Sequence, residues 1–162
     1  MAAIRERQIM RRFNGLVLGL LVLIMAGCGK HSSFTVASGK SSAPGNPAAE
    51  KAAVQSAEGW LDLVDAGSYS NSWEEAAAYF KSAVSEADWE KSINGLRPPL
   101  GRTLSRVVQS KQYATSLPGS PDGEYVVIQY DTAFEHKAHA VETITPMLDK
   151  DGQWRVAGYY IK

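Results

Sequence analysis

The sequence predicts an α+β fold in which N-terminal helices pack on a curled antiparallel sheet of about four strands, giving a cone-like domain. Apolar residues recur at three- and four-residue intervals in the first half of the region 46–162. The second half contains runs of branched and alternating residues separated by turn-rich loops. Helices that precede consecutive strands, rather than alternating with them, indicate segregated layers. The length of this region predicts a single domain.

The first predicted helix begins at Asn46 and Pro47. Asn is favoured as an N-terminal cap and Pro is favoured at the first helical position. Its apolar stripe consists of Val54, Ala57, Trp60, Leu61 and Val64. Gly67 is expected to end this helix, because glycine readily adopts the left-handed conformation of a C-terminal cap.

A second helix is predicted to start at Ser72, because Ser72 to Glu75 matches a capping box. Its apolar side is expected to carry Trp73, Ala76, Ala77, Phe80 and Val84. A third, short helix is predicted to start at the segment Ser85 to Asp88 and to end at Asn94-Gly95. The two prolines that follow cannot continue a helix.

Four strands are predicted in the second half, over residues 103–113, 124–134, 139–148 and 154–161. Turn-forming residues fill the loop 116–123, and Gly152 closes a hairpin turn between the last two strands. In the second strand Val126, Ile128, Tyr130 and Phe134 share one face, whereas Gln129 and Asp131 lie on the other.

Residues 1–27 are predicted to be a lipoprotein signal peptide. A basic segment with four arginines precedes a short apolar run. Met25 to Cys28 then resembles the lipobox of bacterial lipoproteins, in which the cysteine is acylated and becomes the new N-terminus. A transmembrane anchor is the less favoured interpretation, because it needs about 20 apolar residues. A plain secretory signal is also less favoured, because the small residues end at a cysteine.

The lipobox resemblance implies a cell-envelope protein held on the membrane by a covalent lipid on Cys28. Gly29 in place of an aspartate implies the periplasmic face of the outer membrane. Residues 28–45, the acylated cysteine and the small and polar residues after it, are expected to be a flexible tether. From Cys28 onward the chain has 13 basic and 16 acidic residues. This mildly acidic balance argues against a nucleic-acid partner, whose phosphates require clustered lysines and arginines.

Several short segments resemble the bacterial family called domain of unknown function 4019. They are Trp60 to Tyr69, Ser72-Trp73, Phe80-Lys81, Trp89, Arg97 to Gly101 and the closing segment Gly152 to Ile161. The resemblance covers about Val54 to Ile161. No activity is established for that family. Its order of elements is similar to nuclear-transport-factor-2-like and cystatin-like folds, which implies a pocket between the curled sheet and the helices.

Three residues are candidates for ligand binding. Trp60 and Trp73 would line an aromatic cleft, although core packing is the simpler interpretation of residues on an apolar stripe. Arg97 would clamp a ligand carboxylate, or would pair internally with a helix acid, which the sequence favours. Arg102 and Arg106 are expected to be surface or strand-edge charges.

The sequence carries no serine-nucleophile elbow, phosphate loop or dinucleotide fingerprint, and its one cysteine lies at the lipid site. His136 and His139 would point to opposite faces of a strand, so neither a metal site nor a cofactor is expected. The enzymatic alternative rests on the fold resemblance. A ketosteroid-isomerase-like enzyme would use Asp131 as a buried base, with Tyr69 or Tyr125 nearby. A water-facing Asp131 is the simpler expectation.

These observations favour a non-enzymatic binding or protein-interaction module anchored in the envelope, with an envelope protein or a small ligand as its partner. The alternatives are the ketosteroid-isomerase-like enzyme and a purely structural envelope lipoprotein.

Overall fold

The computed structural model describes residues 45–162, so the expected signal peptide, Cys28 and nearly all of the tether lie outside the described residues. The helices are α1 Pro47–Asp65, α2 Tyr69–Glu74, α3 Ala78–Ala83 and α4 Glu86–Leu96, followed by a 3-10 turn at Pro98–Leu100. The strands are β1 Thr103–Ala114, β2 Tyr125–Phe134, β3 Lys137–Leu148 and β4 Trp154–Ile161. The α+β fold expected from the sequence is confirmed.

The sheet is antiparallel and open. Its spatial order is β1-β2-β3-β4, so each strand pairs with its neighbour in sequence. On β2 the predicted inward face is confirmed, because Val126, Ile128, Tyr130 and Phe134 are all buried. β3 begins at Lys137, two residues before the expected start, and the other strand bounds lie within one residue of the prediction.

Helix α1 forms as its sequence predicts. The Asn46 side chain accepts a hydrogen bond from the Ala49 amide at 3.2 Å, and Pro47 occupies the first helical position. After Asp65 the chain turns at Gly67, whose φ of 73° is readily available to glycine. Within the described residues, no helix is both long enough and apolar enough to cross a bilayer.

The predicted second helix is wrong, because two short helices, α2 and α3, occupy this region. Ser72 is a buried residue inside α2, where its hydroxyl donates to the Tyr69 carbonyl at 2.7 Å and accepts from the Trp89 indole at 2.9 Å. The chain breaks after α2 because Ala77 is extended and its amide donates to the Val156 carbonyl of β4 at 2.9 Å. Contact with the sheet therefore overrides the local helical pattern.

Helix α4 begins where the sequence predicts it. The Ser85 hydroxyl accepts from the Asp88 amide at 3.2 Å, which satisfies one free N–H group of the first turn. The helix extends to Leu96, one residue beyond the predicted end at Gly95.

Aromatic rings fill the space between the helices and the inner face of the sheet. The ring centroid of Trp60 lies 5.6 Å from that of Trp89 and 5.3 Å from that of Tyr159. Phe80 meets Trp89 edge to face at 5.2 Å. The region in which the fold resemblance implies a pocket is thus occupied by packed side chains.

Candidate functional site

A partly buried network of four charged residues lies under the C-terminal end of α1, with Arg97 and Glu142 buried and Asp65 at its exposed margin. It is formed by Asp65 of α1, Arg97 after α4, Arg106 of β1 and Glu142 of β3. Glu142 is fully buried and Arg97 is 5% exposed. Arg106 lies on the edge strand β1, one of its two expected placements, but its side chain is only 13% exposed and is not the free surface charge that was the other expectation.

Glu142 is held by several hydrogen-bond donors. The Arg106 Nε atom and the Thr132 hydroxyl both donate to Glu142 Oε2 at 2.6 Å. The Tyr159 hydroxyl donates to Oε1 at 2.6 Å, and Arg97 Nη1 lies 3.6 Å from that oxygen. A buried carboxylate needs such compensation, because removing its charge from water is costly.

Asp65 is the last residue of α1, where the partial negative charge of the helix C-terminus disfavours a carboxylate. Arg106 offsets this by donating from Nη1 to Oδ2 at 2.7 Å and from Nη2 to Oδ1 at 3.1 Å. Arg97 Nη2 also donates to Asp65. Arg97 is therefore committed to an internal pair, the interpretation that the sequence favours.

The charges in this network balance, since two guanidinium groups face two carboxylates. Burial alone would lower the pKa of Arg106, but its hydrogen bonds to Asp65 and Glu142 outweigh that effect and raise it. Burial and the charge of Glu142 raise the pKa of the Tyr159 hydroxyl. Through Arg106 and Glu142, with Thr132 and Tyr159 bonded to Glu142, the network links α1 to all four strands.

Two surface grooves lie beside the packed core. The first, about 310 Å³, borders the network and is lined in part by Tyr69, Arg97, Arg102 and Glu135. Arg97 is occupied within the network, and Arg102 Nη2 lies 2.6 Å from Glu135. The charged side chains of this groove therefore already have partners.

The second groove, here named the α1–β1 groove, has a volume of about 440 Å³. Its lining residues are Lys51, Val54 and Gln55 of α1 with Val108 and Lys111 of β1. It opens at the edge of the sheet, because β1 is the first strand in the spatial order.

A family model described as "Protein of unknown function (DUF4019)" matches residues 56–159. The chain belongs to the DUF4019 family. The match begins within α1 and reaches the end of β4, so it covers both the network and the sheet. No curated protein and no solved structure is similar enough to this chain to give a match.

In this DUF4019 domain, Asp131 does not occupy a cavity. It is exposed on the face of the sheet opposite the helices, as the simpler expectation had it, and it is not the buried base that the enzymatic alternative requires. Tyr69 starts α2 and lines the first groove instead. Tyr125 is buried, and its hydroxyl donates to the Pro121 carbonyl at 2.7 Å. The three residues do not share one environment, because Asp131 is exposed, Tyr125 is buried six residues earlier on β2, and Tyr69 lies on α2.

The tryptophans proposed for ligand binding are anchored to the protein itself. Trp60 is 4% exposed and its indole donates to the Ser72 carbonyl at 2.7 Å. The half-buried Trp73 donates to the Val84 carbonyl at 2.8 Å. Neither residue lines either groove.

The two histidines of the second hairpin are exposed. His136 Nδ1 lies 3.2 Å from the Pro99 carbonyl, and His139 lies on β3. Among residues 45–162, no group of three or more His, Cys, Asp or Glu side chains is arranged to hold a metal ion.

Sequence reasoning missed Glu142, the centre of the network. A signal was present, because Glu142 lies between the inward-facing Ala140 and Ile144 in the alternation of β3. A carboxylate at an inward position requires buried cationic partners. Arg106, an inward residue of β1 paired with Thr132, supplies one of them.

Proposed function

We propose that this DUF4019 protein is a lipid-anchored cell-envelope protein whose domain acts as a non-enzymatic binding or protein-interaction module. The supporting observation is the surface of β1. Among the described residues, five large apolar side chains are exposed, and three of them lie on this strand: Leu104 at 62%, Val107 at 65% and Val108 at 37%. Val107 pairs with the exposed Asp131 and Val108 with the buried Tyr130, so this edge strand presents apolar side chains on both faces, and exposed apolar surface of this kind supports an interaction surface.

The two edges of the sheet differ. The helical layer contacts the β4 edge through two hydrogen bonds. The Ala77 amide donates to the Val156 carbonyl, and the Ser56 hydroxyl donates to the Trp154 carbonyl. β1 pairs only with β2 in the described part of the chain. It contains two register shifts, and such irregularities limit uncontrolled pairing at an edge. An exposed edge of this kind supports pairing with a selected partner.

The proposed anchor fits this role. A tether of about 17 residues after an acylated Cys28 would hold the domain on the order of 20–25 Å from the membrane. Three acyl chains bind a bilayer far more firmly than one myristoyl group. The domain would then meet partners at the periplasmic face of the outer membrane.

Site-specific photocrosslinking in native membranes tests the proposal. Benzoylphenylalanine is placed at Val107 of the full-length protein and, as a matched control, at the exposed Lys91 of α4. We expect discrete adducts from position 107 and none from position 91. An absence of adducts at 107, or identical adducts at both positions, would overturn the proposal and favour a purely structural lipoprotein.

A further inference from the structure

We infer that the α1–β1 groove is the docking site of an extended peptide that adds as a strand beside β1 and places an acidic side chain near Lys51 and Lys111. This inference rests on the proposed function and names the chemistry of its partner. The peptide would carry an acidic residue flanked, at two-residue spacing, by apolar residues.

The groove exists because α1 is tied to β1 at both of its ends but not between them. Near the start of α1, Glu50 Oε2 lies 3.5 Å from Lys111 Nζ. At its end, Asp65 Oδ2 lies 2.7 Å from Arg106 Nη1. The helix therefore runs antiparallel to the strand. The side chains between these two ion pairs leave a groove of about 440 Å³.

The backbone beside the groove is available for pairing. Within residues 45–162, the backbone hydrogen bonds of 103–114 are those of the β1–β2 ladder, and none joins β1 to another element. In an antiparallel ladder, the N–H and C=O groups of alternate residues point away from the partner strand. A peptide that adds to such an edge gains main-chain hydrogen bonds, and pockets for its alternate side chains select its sequence.

The register of β1 places Val108 and Lys111 on the face of the sheet that alternate side chains of an added strand would share. Val108 pairs with Tyr130 and Lys111 pairs with Ile128, and both partners lie on the buried face of the sheet. Alternate side chains of an added strand would point to that same face and enter the space beside α1. Val54 supplies the apolar wall on the helix.

The charges around the groove favour an acidic residue. Lys51 is exposed and forms no salt bridge with any described residue. Lys111 is 44% exposed, and its acidic contact is Glu50. The other acidic residue on this part of α1 is Glu58, two helical turns beyond Lys51. Glu50 already pairs with Lys111, so Lys51 is the lysine of the groove without a salt bridge among the described residues, and complementary charge supplies specificity.

A phage-displayed library of random octapeptides, selected on the full-length protein in detergent, tests this inference. Enriched peptides are then synthesised, and their binding is measured by fluorescence anisotropy. We expect enrichment of an acidic residue flanked by apolar residues at two-residue spacing. Hydrogen exchange should show new protection of amides within 103–114. Selection without this pattern, or protection confined to another surface, would overturn the inference.

A double variant, Lys51→Gln with Lys111→Gln, tests the charge contribution. Its matched control, Lys91→Gln with Lys150→Gln, removes the same charge from exposed lysines elsewhere. We expect the first pair to weaken peptide binding about fivefold and the control to leave it unchanged. Equal weakening by both pairs would mean that only net charge matters and would overturn the inference. Thermal unfolding verifies that each variant is folded.

The two proposals fail in different ways. Crosslinks from Val107 without peptide binding would reject the extended-peptide partner but keep the interaction module. An absence of crosslinks from Val107 would reject the interaction module itself.

Discussion

Arg106 of β1 and Glu142 of β3 form an ion pair across the strand that separates them, with 2.6 Å between Arg106 Nε and Glu142 Oε2. Thr132 of the intervening strand donates to the same carboxylate oxygen at 2.6 Å. One buried side chain thus joins three consecutive strands. The remaining oxygen of Glu142 accepts from Tyr159 and so adds the fourth strand.

Glu142→Gln should destabilise the domain by about 3–5 kcal/mol, because it leaves Arg97 and Arg106 buried with one carboxylate between them. Urea unfolding gives the free energy. Glu135→Gln is the matched control. The partner of Glu135, Arg102, is 82% exposed, so the control should cost under about 1 kcal/mol. Equal losses in the two variants would contradict the proposed importance of the buried pair.

Tyr130→Phe should leave stability unchanged or raise it by up to about 1 kcal/mol, because the buried Tyr130 hydroxyl has no hydrogen-bond partner among the described residues. Tyr159→Phe provides the contrast. It removes a donor from the buried Glu142 and should cost about 1–3 kcal/mol. Thermal unfolding midpoints of the two variants distinguish these outcomes. A marked loss in Tyr130→Phe would reveal a partner for that hydroxyl.

Gly101→Ala should destabilise the turn before β1. Gly101 has a φ of 75°, which residues with a Cβ rarely adopt. An added Cβ would also lie 2.8 Å from the Glu135 Cβ, which is too close for two carbon atoms. The cost should be about 1–3 kcal/mol by urea unfolding. Gly59→Ala in α1 has open space around the new Cβ and should instead stabilise by about 0.5–1 kcal/mol. An unchanged free energy of unfolding in Gly101→Ala would contradict this prediction and show that the turn can relax.

The β3–β4 hairpin should respond to acid through Asp151. Hydrogen bonds from Arg155, and next from the Gln153 amide, lower the pKa of Asp151 from 3.8 to about 2. Because the folded state has the lower pKa, the contribution of Asp151 to stability is present above pH 3.8 and is lost as pH falls toward 2. Carboxyl-carbon NMR titration measures this pKa directly. Arg155→Gln should return the pKa of Asp151 toward 3.8. An unchanged pKa in that variant would show that Arg155 does not lower it.

Cys28→Ala should abolish lipidation and release the protein from membranes. The intact mass of the unaltered protein should correspond to cleavage before Cys28 plus a diacylglycerol and a third acyl chain. Mass spectrometry and membrane fractionation test both statements. An unmodified mass that still includes Met1 would reject the lipoprotein proposal.

Local sequence signals predicted the elements whose ends are set by their own residues. The Asn46 cap and the Ser85 cap place α1 and α4, because each side chain bonds an amide within its own first turn. The strands followed from alternation, and their order follows from the short connections between them. The break after α2 was not predictable in the same way, because the Ala77 amide bonds a strand 79 residues later in the chain.

The sequence by itself determined the α+β class, the bounds of α1 and most strand positions, and the DUF4019 resemblance, because these depend on caps, periodicity and turn residues. Only the tertiary structure decided that Asp131 faces outward, that Glu142 and Arg106 are buried partners, and that β1 remains an open edge beside a groove. Such relationships depend on the register and packing of distant segments. A pairing between side chains 36 residues apart leaves no local pattern in the chain.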